Sequence, residues 1–166
     1  MGRDKALVEI DGVPMARRVA GALDAAGCEP IVAIGGDPAA LGSLGLEVVA
    51  DGAPGEGPLG GLITALVHFA SSPAVVVVAC DLPYLTGSTV RAVVGALAGF
   101  DVALACTDRR QPLCAAWRPN AVDHLRSVFD AGERRLDAAA TGLHWVQIQV
   151  DPQDLANVNT PADLPD

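Results

Sequence analysis

The sequence of 166 residues has no apolar run long enough to span a bilayer, which takes about 20 residues in a helix. That excludes a helical membrane protein. It has no excess of positive charge either: the formal net charge is −9 and the pI about 4.6. A surface that follows a nucleic-acid backbone needs clustered Lys and Arg, so nucleic acid is excluded as the main partner. A small phosphorylated ligand is not, because it needs only a few local positive groups or a metal ion. Cys28, Cys80, Cys106 and Cys114 lack the spacing of a zinc knuckle or a redox pair. They read as structural thiols of a reducing, cytoplasmic compartment. Charged residues within Met1–Lys5, with no long apolar run after them, predict no signal peptide. No Ser/His/Asp or Cys/His set suggests nucleophilic catalysis, and no serine sits in a nucleophile-elbow context. His68, His124 and His144 have no partner at metal-ligand spacing. There is no internal repeat and no low-complexity linker, which predicts a single domain over 1–166.

What is present is apolar. Hydrophobic residues make up 51 % and the mean hydropathy is +0.35, enough for one compact domain with its own core. The run from Ala74 to Leu85 reads Ala-Val-Val-Val-Val-Ala-Cys-Asp-Leu-Pro-Tyr-Leu. Four successive β-branched residues favour a strand. Without polar alternation, that strand is expected to be covered on both faces, as in a parallel sheet between helices. Pro83 cannot continue the ladder, so Asp81 is expected at the strand's carboxyl end. Ligands of open α/β sheets bind along that edge. The plain alternative is a loop Asp bonding its own backbone.

Taken in order, a turn at Asp11-Gly12 precedes a helix from Pro14 to about Ala26. Strands are expected over 30–35 and 46–50, then a loop from Asp51 to Gly61 feeding a helix over about 59–70. A helix over 87–97 has Thr86 as its N-cap candidate. Strands at 101–106 and 113–117, a helix from Pro119 to about Phe129 and a late alternating strand at 145–150 follow. Pro161 suits the start of a final helical turn. Strands alternating with helices predict an α/β fold, Rossmann-like and three-layered (α/β/α), with a mostly parallel sheet and right-handed crossovers.

Three polar clusters fall at predicted strand ends or in glycine-rich loops. In Gly2-Arg3-Asp4-Lys5, the lysine is a plausible phosphate contact as a compact point charge, or a solvated surface charge. In the Asp51–Gly61 loop, glycines admit close approach to backbone N–H groups, and the next helix points its positive end at the loop. In Asn157-Val158-Asn159-Thr160-Pro161, two Asn could face a ligand, or the segment is helix capping and a turn. Arg109-Arg110-Gln111 reads as a solvated hairpin tip, or less favourably as a contact to an anionic substrate.

The segments Met1-Gly2-Arg3-Asp4-Lys5-Ala6, Gly57-Pro58-Leu59-Gly60-Gly61, Cys80-Asp81-Leu82-Pro83, Gln111-Pro112-Leu113-Cys114 and Asn157-Val158-Asn159-Thr160-Pro161, in this order, resemble the molybdenum cofactor guanylyltransferase (MobA) family of nucleoside-triphosphate transferases. The resemblance implies transfer of GMP from GTP to molybdenum-bearing molybdopterin with release of pyrophosphate, using Mg²⁺. It implies that Lys5 contacts the GTP phosphates and that Asp51 binds the guanosine part. It assigns Mg²⁺ and phosphates to Asp81, the nucleotide loop to Gly57 and Gly61, and the pterin side to Asn157 and Asn159. Other proteins of cofactor biosynthesis, or apo-molybdoenzymes, are implied as further partners. The family signature begins with a strand and a Leu-Ala-Gly-Gly-type turn ahead of Met1. The first strand of the family fold is therefore expected to be missing here, about 15–20 residues in all. Because that turn helps select guanine, a CTP-dependent or otherwise related nucleotidyltransferase stays open, as does a truncated, non-catalytic pterin- or partner-binding relative.

Overall fold

The computed structural model describes residues 5–157. A single 3-10 turn at Lys5–Leu7 leads to a small hairpin of β1 (Glu9–Ile10) and β2 (Val13–Pro14). Asp11 and Gly12 form its turn with φ of 51° and 73°, the left-handed pair that matches strand twist in two-residue hairpins. α1 (Met15–Ala25), β3 (Val32–Ile34), α2 (Pro38–Ser43) and β4 (Glu47–Val49) come next. The glycine-rich loop then enters α3 (Pro58–His68), followed by β5 (Val75–Val78) and α4 (Gly87–Ala96). β6 (Val102–Cys106), β7 (Arg110–Trp117), α5 (Val122–Asp130), α6 (Leu136–Ala139) and β8 (Trp145–Gln149) complete the order, before a 3-10 turn at Pro152–Leu155. Thr86 caps α4 as expected, its hydroxyl accepting the Thr89 N–H.

The main ladder has the order β5-β7-β6-β8. β7 runs antiparallel to both β5 and β6, whereas β8 is parallel to β6. β5, β6 and β8 therefore share one direction. β3 and β4 form a separate parallel pair. The Lys5–Leu7 turn packs on α2, which follows β3, and it also reaches Asp81, which follows β5. Within the main ladder β7 is thus the antiparallel member, joined to β6 by a tight turn at residues 107–109.

Helices cover both faces. One core joins α3, α5 and α6 to Val75, Leu104 and Trp117. The other joins α1 and α4 to Ala103, Ala105 and Cys114. Every residue of β6 is buried, as its place between two partner strands dictates. The valine run is less covered than its sequence predicts. Only Val75 is buried, and Val76–Val78 are intermediate, because one edge of β5 has no neighbouring strand among the described residues. β8 alternates exposed and half-buried residues, the pattern of an edge strand.

Candidate active site

Lys5 lies beside Asp81, which follows β5, and Asp51, which follows β4, lies against Gly35, which follows β3. Lys5, the only lysine in the chain, lies with Nζ 3.6 Å from Asp81 Oδ2. Their side chains are 48 % and 20 % exposed. An ion pair so open to water contributes at most about 1 kcal/mol to folding, so stability alone does not explain the juxtaposition. It displays an ammonium and a carboxylate together where an incoming phosphate or cation reaches both. Asp81 has this place because the valine strand ends just before it and Pro83 turns the chain away.

Asp51 follows β4. Its Oδ1 accepts the Ala53 N–H at 3.0 Å and lies 3.3 Å from the Thr64 hydroxyl of α3. Thr64 Oγ1 in turn accepts the Gly52 N–H at 3.0 Å and reaches the Gly60 carbonyl at 2.9 Å. Its single proton serves one of those two oxygens. Asp51 therefore folds its loop against α3 through one oxygen, and Oδ2 has no hydrogen-bond partner among the described residues.

Gly57, the N-cap of α3, has φ 87° and ψ −177°, a conformation confined to glycine. It offers no capping side chain, so the helix's positive end faces the loop unscreened. Gly60 sets the packing, since a Cβ there would lie 2.9 Å from Ala53 Cβ. Gly61 faces Ile34 of β3 with room to spare: a Cβ there would stand 3.9 Å from Ile34 Cγ2.

Asn157 is exposed and follows the last 3-10 turn. That turn is clasped to the start of α4: Asp154 Oδ2 accepts the hydroxyls of Thr86, at 2.6 Å, and Thr89. Leu155 is buried in the same core as α4. The segment carrying Asn157 is thereby fixed to the helix that opens shortly after Asp81. Asn159 lies outside the described residues, as does the expected final helical turn at Pro161. The tip at residues 109–111 is exposed at Arg109 and Arg110, and the Arg110 guanidinium lies 5.0 Å over the Trp145 ring.

One element of this site has no signal in local sequence. Arg134 donates Nε–H to Glu56 Oε2 at 2.7 Å, tying the glycine-rich loop to the stretch before α6. Its Nη1 donates to the carbonyls of Phe129 and Glu133, and its guanidinium stacks 3.9 Å over Phe129. Glu133 accepts the backbone N–H groups of Arg135 and Arg134, which hold its carboxyl below its ordinary pKa. The partners are far apart in sequence, and no spacing rule links them.

The family model for the MobA-like NTP transferase domain matches residues 1–145. The chain belongs to the MobA-like NTP transferase family. Its relatives in this family include the molybdenum cofactor guanylyltransferase of Rhodobacter capsulatus, 36 % identical over 99 % of this chain and 86 % of that one. A protein named as a probable molybdenum cofactor guanylyltransferase in Chloroflexus aggregans is 37 % identical over 82 % of this chain and 71 % of its own. Among solved structures, molybdopterin-guanine dinucleotide biosynthesis protein A of Archaeoglobus fulgidus superposes with a TM-score of 0.76 at 25 % identity. It covers 98 % of this chain and 87 % of its own. The MobA-like chain thus has a nucleotidyltransferase fold, and its family generally works with a divalent metal. No helix among the described residues is long and apolar enough to cross a membrane.

Proposed function

We propose that this chain transfers GMP from GTP to molybdenum-bearing molybdopterin, giving the guanine dinucleotide form of the cofactor and pyrophosphate. The observation that carries this reading is the Lys5–Asp81 pair, displayed at the strand edge in a chain so similar to named guanylyltransferases. A terminal phosphate oxygen of molybdopterin attacks the α-phosphorus of GTP. The new O–P bond forms as the bond from the α-phosphorus to the bridging oxygen breaks, and that oxygen leaves with pyrophosphate. Both reactants are anionic, so the work is charge neutralisation and in-line positioning. An ionised attacking phosphate needs no general base.

In this reading Lys5 neutralises GTP phosphates, and the free oxygen of Asp51 takes a donor from the guanosine. The loop from Gly57 to Gly61 receives the nucleotide against the positive end of α3. Asn157 and Asn159 take the pterin side. The residues fit Mg²⁺ shared with the nucleotide. No three acidic, His or Cys groups converge among the described residues, while Asp81 offers one accessible carboxylate. That suffices for Mg²⁺ when phosphate oxygens and water complete its shell. Bound there, Mg²⁺ would offset the charge that builds on the phosphates.

Calorimetric titration of GTP and CTP, each with Mg²⁺, tests the reading. GTP is expected to bind at least about tenfold, 1.4 kcal/mol, more tightly than CTP. Preference for CTP would replace guanylyl by cytidylyl transfer, and binding of neither nucleotide would remove the enzyme reading.

A further inference from the structure

The segment that carries Asn157 is joined to another element by a single acid. Its backbone hydrogen bonds stay within residues 151–156. Among the described residues, Asp154 alone carries the segment's hydrogen bonds to another element: its Oδ2 accepts the Thr86 hydroxyl at 2.6 Å and the Thr89 hydroxyl. Thr86 is the N-cap of α4 and Thr89 lies in its first turn, so the carboxylate also meets the positive end of that helix. Each hydroxyl has one proton, and both are given to the same oxygen. The lone pairs of Thr86 Oγ1 are left for the Thr89 N–H and for the Ser88 hydroxyl, 2.9 Å away. Thr89 is the one buried polar residue among those described. A helical threonine can satisfy its hydroxyl on the carbonyl one turn back, yet this one bonds an acid 65 residues away. Local satisfaction therefore does not account for the link.

Both arms of the link are short and firmly held. On one side, Asp81 stands five residues before Thr86. Leu82 and Leu85 are buried between them, and the Leu85 N–H donates to the Leu82 carbonyl at 3.2 Å. On the other, Asn157 stands three residues after Asp154, and Leu155 is buried in the core that holds Leu82 and Leu85. Two residues from distant parts of the chain are thus connected by a few packed residues and one bonded carboxylate.

We propose that Asp154 is a positioning residue for the acceptor: bound to Thr86 and Thr89, it fixes the Asn157 segment relative to Asp81. That role rests on the guanylyl-transfer reading, in which Asp81 serves the nucleotide phosphates and Asn157 the pterin. In-line attack requires the acceptor phosphate to be held at a set distance from the α-phosphorus, and small misplacements of a bound reactant are costly. The clasp is the polar contact that sets this distance from the acceptor's side. GTP, held by Lys5, Asp51 and the glycine-rich loop, does not depend on it.

Titrations of molybdenum-bearing molybdopterin and of GTP with Mg²⁺, made anaerobically beside steady-state kinetics, test the role. Asp154→Ala should raise both Kd and KM for the pterin at least about tenfold, with GTP affinity within about twofold of wild type. Asp154→Asn keeps an oxygen that can accept both hydroxyls and should recover most of the loss. Thr89→Val, of the same shape without the hydroxyl, should give a smaller rise, and Thr89→Ser should match wild type. A contact that only stabilises the fold would lower the melting temperature without separating the two substrates. Unchanged pterin affinity in Asp154→Ala, a parallel loss of both substrates, or no recovery with Asn and Ser would overturn the role. Failure of the guanylyl-transfer reading shows separately, in the wild-type chain, as pterin binding without GMP transfer; the pterin Kd of the variants then still decides the role of Asp154. A wild-type chain that binds GTP but no pterin would overturn it outright.

Discussion

β5 and β6 are near twins in sequence and opposites in setting. Both are short, uncharged, apolar runs that share a direction and a common neighbour, β7. β6 lies between β7 and β8 and is buried at every residue. β5 has β7 on one side and, among the described residues, no strand on the other, and three of its four valines are half-buried. The acid of the candidate site follows β5, and the corresponding end of β6 turns tightly through Thr107 and Asp108 into β7. Hydrophobicity alone does not decide which strand is a core strand. Lateral pairing does, and the candidate site follows the strand that has one partner strand among the described residues.

Core truncation separates the two strands most strongly. Leu104→Ala in β6 should lower unfolding free energy by about 3–5 kcal/mol, the range for a fully buried leucine. Val77→Ala in β5 should lower it by about 1 kcal/mol, since part of that side chain is already wet. Urea denaturation midpoints of the two variants measure the gap, and equal losses would break the comparison. Next come the strand ends. Asp81→Ala should reduce kcat/KM about 10²–10³-fold with an unchanged melting profile. Thr107→Ala, at the matching end of β6, should leave turnover within about twofold, because among the described residues Thr107 bonds only Asp108 through its side chain.

Thiols report on the same contrast without mutation. Cys80, just past β5, is exposed, and Cys106, the last residue of β6, is buried. Maleimide should label Cys80 at least about 100-fold faster, because Cys106 must wait for local unfolding. Mass spectrometry of peptides after timed quenching reads both rates. Cys114 of β7, which pairs opposite Val78, gives a pH test. Burial, aided by the negative charge of Asp154, pushes its thiol up to about 12 from 9.0. The neutral thiol is the folded form, so its contribution is complete below pH 9 and is lost as pH rises from 9 towards 12. The loss should be steepest in that window, by at most about 1.4 kcal/mol per pH unit. Cys114→Ala should flatten it in denaturation curves taken across the range. The smallest effect is expected at the surface. Glu56→Gln weakens an exposed pair with Arg134 and should lower stability by less than about 1 kcal/mol. Its larger consequence should be a raised KM for GTP, as the glycine-rich loop loses one tether; an unchanged KM would detach Glu56 and Arg134 from the site.

The local devices of this fold were legible in the chain: the Asp11-Gly12 turn, the Thr86 cap, the valine strand ending before Asp81, and the alternating edge strand at the late position. Each depends on neighbours a few residues away, through φ/ψ preference, capping or period. The ordered motifs also led to the MobA-like family and so to Lys5, Asp51 and Asp81 as candidates. Only the tertiary structure brought Lys5 within 3.6 Å of Asp81, tied Glu56 to Arg134, and clasped Asp154 to Thr86 and Thr89. Those contacts join residues from distant parts of the chain, and no local preference encodes which of many polar groups meet. Burial followed the same division. The apolar pattern determined that Val75–Val78 and Val102–Cys106 would both be strands, because β-branching and hydrophobicity act residue by residue. Which of the two would have two partner strands among the described residues was decided by sheet order, a property of how the elements assemble.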